Sequence, residues 1–283
     1  ESSMMSFSAR TLGWTLALSI LLLSSGVAFA GSGGPAEKDT IGVFDEPADA
    51  FLLRNSNTSG PADISFTFGP ADSVPLNNDL TGSGTDTVSV YSPSRGTFFI
   101  GAMLSSGPAA ASVRFGASPG TFAPLMGNWN GSDGDTIGLY DSVSGQFFLN
   151  DANTPTAATY TTRFGPKGAD WLPISGNWDG VGTTDGIGLY DPVSGTFFLR
   201  NDATTAGAAD LTIRFGPKNS TLLPIVGNWN DDTTDTIGLY NPADGTFFLS
   251  NTSVSGLAAE DYRISYGAGG DSQLPVSGNW NGM

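Results

Sequence analysis

Five aspartates recur in register along this 283-residue chain, Asp39, Asp86, Asp135, Asp185 and Asp235, at intervals of 47, 49, 50 and 50 residues. They are the groups best suited to chemistry here, because the chain has no His and no Cys. Without those residue types most nucleophilic triads, most general-base pairs and the usual zinc sites are excluded. Carboxylate pairs remain. A glycosidase needs two carboxyl groups in contrasting environments, whereas acids at one repeated position are rotational copies of a single environment. The pattern points to a chain that is not an enzyme.

A second recurring group is aromatic. The tripeptide Gly-Asn-Trp ends at Trp129, Trp178, Trp229 and Trp280, and Asn78-Asp79-Leu80 is a degenerate fifth copy. Four equivalent indoles are stacking platforms for sugars, and so candidate ligand-binding residues, if they face solvent. If they do not, they pack between neighbouring units, since a core also needs a large ring at the same position of every repeat.

The elements that must position these residues follow from the spacing. In the cleanest unit, 172–178 is a short apolar run, 179–184 a polar turn and 185–190 a second run, which together read as a hairpin. Turn formers at 191–195 lead to the aromatic run 196–201, and 210–216 alternates apolar and polar residues as a strand with one packed face does. Four strands per unit at a period near 50 predict an all-β fold, a β-propeller of five four-stranded blades over residues 39–283. The first strand, 40–44, has the pattern of a second blade strand, and the last, 274–280, that of a lone first strand. Pairing the two termini in one blade closes the ring and removes its open sheet edges. A chain clipped from a longer array would allow more blades.

The Phe-Gly pairs at 164–165 and 215–216, each followed by a strand, an Asx-rich loop and an Asp before an apolar strand, resemble the FG-GAP or VCBS-type repeats of exported bacterial proteins and of the integrin α-subunit propeller. The resemblance covers nearly all of 39–283. It implies adhesion, ligand binding or an accessory role, and loops in which alternating oxygen ligands converge on calcium. Carried over, the candidate ligands are Asn128, Asn130, Ser132 and Asp135; Asn177, Asp179 and Asp185; Asn228, Asn230, Asp232 and Asp235; and, in the earliest copy, Asp79, Thr81, Ser83 and Asp86. Asn replaces Asp at the first position of three loops and Val181 fills a ligand position, so the implied affinity is weak and strongest at the loop 228–235. Asn, Asp and Gly are equally what a hairpin turn uses for its own hydrogen bonds.

Residues 11–30 are apolar, follow Arg10 and end in Ala28-Phe29-Ala30, the pattern of a secretory signal peptide; a retained anchor is the rival reading. Residues 1–4 precede a plausible true start at Met4 or Met5, and 31–38 read as a linker. Secretion or cell-surface display is expected, with no disulfide to hold the fold. A net charge of −16, from 27 acidic and 11 basic residues, argues against nucleic acid and anionic membranes as partners. A glycan or a cell-surface protein is the expected partner of such a binding or adhesion module. A surface scaffold without a small ligand is the alternative.

Overall fold

The computed structural model describes residues 29–30, 38–118, 120–132, 134–270 and 272–282, so the predicted signal peptide and linker fall almost wholly outside the described residues. The strands form a propeller of five four-stranded blades around one axis. Blades two to five take their strands in chain order. Blade four, for example, consists of Leu172–Gly176, Gly186–Asp191, Thr196–Arg200 and Leu211–Arg214 from the axis outwards, all antiparallel.

Blade one is closed from both termini. Its inner strand, Gln273–Gly278, pairs with Thr40–Asp45 from Thr40 opposite Gly278 to Asp45 opposite Gln273. Ala50–Leu53 and Ile64–Thr67 complete it. The three-plus-one complement of strands expected from the sequence is the closure observed. The backbone of Phe29–Ala30 runs parallel to the inner strand of blade four, Phe29 opposite Ile174, and lies close to the inner strands of all five blades.

Side-chain alternation explains why these short strands pack on both faces. In the third strand of each blade successive residues point to opposite sides, so the Phe-Phe pair divides. Phe98, Phe147, Phe197 and Phe247 are fully buried against the tyrosine of the neighbouring strand, with ring centroids 4.5–4.7 Å apart in the pairs Tyr91–Phe98, Tyr140–Phe147, Tyr190–Phe197 and Tyr240–Phe247. Phe44 and Phe51 repeat the pair in blade one. Burial of such rings contributes ~1.5–3 kcal/mol each. The second members, Phe99, Phe148, Phe198 and Phe248, point to the opposite blade face and stay half-exposed.

The outer strand of each blade is a sheet edge, and two of these edges are covered by the next blade. Gly256–Leu257 pairs in parallel with Ile213–Arg214, and the Ser106 hydroxyl accepts from the Thr67 amide of blade one at 3.0 Å. Such covers remove the unpaired donors that would otherwise recruit other strands.

Candidate functional site

The five repeated aspartates form inter-blade latches. Asp185, at the start of its blade's second strand, donates its amide to the Asn128 carbonyl at 2.8 Å and accepts the Asn128 amide on Oδ2 at 2.8 Å. The same two bonds join Asp235 to Asn177, Asp39 to Asn228, Asp86 to Asn279 and Asp135 to Asp79, all at 2.7–2.9 Å. Each pair joins the inner strand of one blade to the next blade, so the five close a ring. All five acids are at most 4% exposed.

Burial raises the proton affinity of Asp135, Asp185 and Asp235. Burial, reinforced by the charges of Asp135 and Asp235, pushes Asp185 well above the usual carboxylate range. Burial does the same to Asp135 against the opposing hydrogen bond from Asp79, with Asp86 adding to the rise. Asp235 is pushed up to about 8 by burial, opposed by the Asn177 amide and aided by Asp86 and Asp135. A neutral acid retains the latch, because Oδ2 still accepts the amide while the proton resides on Oδ1, an atom that in Asp185 has no hydrogen-bond partner among the described residues.

The loops preceding these acids close on themselves. Asn228 Oδ1 accepts the Asp232 amide at 3.1 Å, and its Nδ2 donates to the Asp232 carbonyl. Asp232 Oδ1 accepts the Thr234 amide at 2.7 Å and Oδ2 accepts Asn230 Nδ2 at 2.9 Å. In the equivalent loops Asn130 Oδ1 takes the Ser132 amide, Asn177 Oδ1 the Gly180 amide, Asp179 Oδ1 the Val181 amide, and Asp79 the Thr81 and Gly84 amides.

The last acid of each expected ligand set turns to the neighbouring blade, as Asp235 does to Asn177. Oxygens of Asn228, Asp232 and Asp235 thus each accept a hydrogen bond from within the protein. Among the described residues no group of three or more carboxylates is arranged to hold a metal ion. We expect millimolar calcium to leave the melting temperature within about 1 °C of its value in chelator, since a ligand selective for the native state must raise it. A rise of several degrees would place a cation in these loops.

The four indoles are not stacking platforms. Trp129, Trp178, Trp229 and Trp280 are 0–4% exposed. Each folds back over the glycine two residues earlier: a Cβ on Gly176 would stand 2.9 Å from the Trp178 ring and 3.0 Å from Asp235 Oδ2. The tripeptide thus has a division of labour, with Gly leaving room, Asn forming the latch and Trp filling the space beside it. Trp178 and Trp229 also donate Nε1 to the carbonyls of Ile187 and Ile237 at 3.3 and 3.4 Å.

Partly exposed aromatic rings lie instead along the blade faces, away from the latches. In blades three and four the second Phe meets the aromatic residue that precedes its own blade's inner strand. Trp171 stacks on Phe198 at 4.8 Å and an interplanar angle of 2°, and Phe122 meets Phe148 edge-on at 6.2 Å. The Phe-Gly turn forms the groove's side: Gly216, at φ 93°, has a backbone shape that side chains rarely adopt, and a Cβ there would run into Leu239.

Arginines share this blade face. Arg263 is opposite Phe248 in the strand register and stands 4.9 Å above its ring. Arg114, Arg163 and Arg214 are opposite Thr97, Gln146 and Thr196, which puts each diagonally across from Phe99, Phe148 or Phe198, within reach of long side chains. Arg95 also stands 5.8 Å above Phe99. Blade one has Leu52 in place of the Phe and Ser65 and Thr67 in place of the Arg. The aromatic and the cation are present together in four blades and absent together in the fifth. The signal was in the sequence, as a second Phe of opposite parity and an Arg just before three of the Phe-Gly pairs.

These features define a five-bladed propeller with a buried ring of aspartates at one end and partly exposed aromatic rings on the faces of four blades. No model of a protein family matches the chain, and no curated protein matches it.

Proposed function

We propose that this chain is an exported, non-catalytic binding or adhesion module that holds a glycan or protein surface in its inter-blade grooves. The observation that carries this reading is the joint recurrence of a half-exposed Phe and an Arg on one face of four blades, and their joint absence from the fifth. A role confined to packing gives no reason for the cation to follow the aromatic. The resemblance to FG-GAP and VCBS-type repeats and the signal-like segment 11–30 support export. Repeated shallow sites give avidity from individually weak contacts, so a polymer is held far more tightly than its monomer.

The test is retention on immobilised polysaccharides and on cell-surface protein extracts, with Trp171→Ala/Phe198→Ala beside the parent. Loss of about tenfold or more in apparent polymer affinity, with the melt still cooperative, is expected. Unchanged retention would remove the grooves from the reading. Burial of all four repeat tryptophans favours a second reading, a surface scaffold, and failure to bind any polymer or protein would leave that one standing.

A further inference from the structure

We infer that the ligand of the grooves is an acidic polysaccharide, one bearing carboxylate or sulfate groups, although the chain itself carries a net charge of −16. The inference rests on the groove reading above and adds the chemistry of its ligand. Two kinds of cation matter here, Arg263 being already paired with Glu260 at 2.9 Å. Arg54 and Arg200 are buried at the latch end and tie loops together: Arg54 bonds the carbonyls of Thr58 and Pro61 and pairs with Asp63 at 2.8 Å, and Arg200 bonds the Asp202 and Ala208 carbonyls. Their charge is consumed by structure.

Arg114, Arg163 and Arg214, with Lys167 and Lys218 of the Phe-Gly connections, are of the other kind. All five are exposed, and among the described residues none makes an ion pair. The arginines recur at equivalent positions diagonally across the strands from Phe99, Phe148 and Phe198, and the lysines follow in the connections. Nearby acids are already occupied in turns: Asp141 and Asp191 each accept an amide on Oδ1 and a Ser hydroxyl on Oδ2.

An unpaired guanidinium beside an aromatic face fits an anionic sugar. The planar fork binds a carboxylate or sulfate through paired N–H donors, and the ring covers the apolar face of the pyranose. A neutral glycan would use the ring and leave the cation idle. An anionic polymer laid across blades two to four meets one such arginine and ring per blade.

The experiment uses the full chain against three immobilised polymers of similar length: a polyuronate, a sulfated polysaccharide and a neutral β-glucan. We expect at least one acidic polymer to bind about tenfold more tightly than the neutral one at low salt, with the advantage shrinking as salt rises. The triple variant Arg114→Gln/Arg163→Gln/Arg214→Gln should lose that advantage and keep whatever affinity the neutral polymer shows. The substitutions are on exposed positions, and the salt dependence of the parent tests the same point should the variant fold poorly. Equal binding of neutral and acidic polymers, unaffected by salt and by the triple change, would overturn the inference while leaving the grooves as sites; the arginines would then only shield the outer sheet edges. Binding of none of the three, with cell-surface protein also refused, would overturn the groove reading itself.

Discussion

Raising the pH from 5 to 9 is expected to destabilise this protein, the reverse of the usual behaviour of a carboxylate-rich chain. Asp135 and Asp185 are held well above the ordinary range by burial, Asp235 is pushed up to about 8, and Glu46 is pushed up to about 7 by burial with help from Asp45. Such groups bind a proton more tightly in the native state than in the unfolded one. Their stabilisation is complete below the unfolded value near 4, falls as pH rises through the window, and is gone above the folded value. Across these groups the loss is on the order of several kcal/mol, or roughly 10 °C or more in Tm for a chain of this size. Thermal melts between pH 5 and pH 9 check it.

Asp185→Asn sharpens the test, because the amide keeps an oxygen to accept the Asn128 amide and has no charge to bury. At pH 5 it should be close to the parent in stability, and at pH 9 it should melt higher. A variant that loses stability equally at both pH values would show that charge at this position supports the fold.

The second large effect concerns the repeat tryptophans. Trp229 is fully buried beside the latch that joins blade five to blade one, next to Gly227 and Asp39, and donates Nε1 to the Ile237 carbonyl. Its replacement by Ala is expected to cost ~3–5 kcal/mol, the usual penalty for emptying a large core site. Polymer affinity per folded molecule should be unchanged, because the ring contacts the core and the latch end, far from the grooves. If Trp229→Ala abolished binding while the melt stayed near the parental midpoint, the indole would be a ligand platform after all. Blade two shows that the position tolerates a smaller side chain: Leu80 stands there, half-buried.

The strands, their order and the closure of the ring were legible because each depends on local pattern: turn residues at fixed offsets, alternating burial and a constant period. The partners of the repeated acids were not. Asp185 reads as the end of its own loop, yet its hydrogen bonds go to Asn128, 57 positions away in a different blade. A period reveals that two residues are equivalent, and it says nothing about which copy faces which. The indoles were ambiguous for a related reason: a ring that recurs at one strand position satisfies both a core and a row of sugar sites. The tie was broken by Gly127, Gly176, Gly227 and Gly278, whose missing side chains leave the space into which the rings fold. The partly exposed rings went unread because the Phe-Phe pair looks like one apolar run until strand parity sends its two rings to opposite blade faces.

Equivalence of the grooves is the claim on which this account depends, and a series that removes them one at a time tests it most directly. The measurement is the apparent affinity for an immobilised polysaccharide of Phe99→Ala, then of chains also carrying Phe148→Ala, Phe198→Ala and Phe248→Ala, each checked for a cooperative melt. The account predicts a stepwise fall, each further groove lowering polymer affinity by a similar factor while the affinity for a short oligosaccharide stays weak throughout. Loss of all binding at one particular substitution, with the other three silent, would contradict it, because one unique site would then do what four equivalent grooves are held to do.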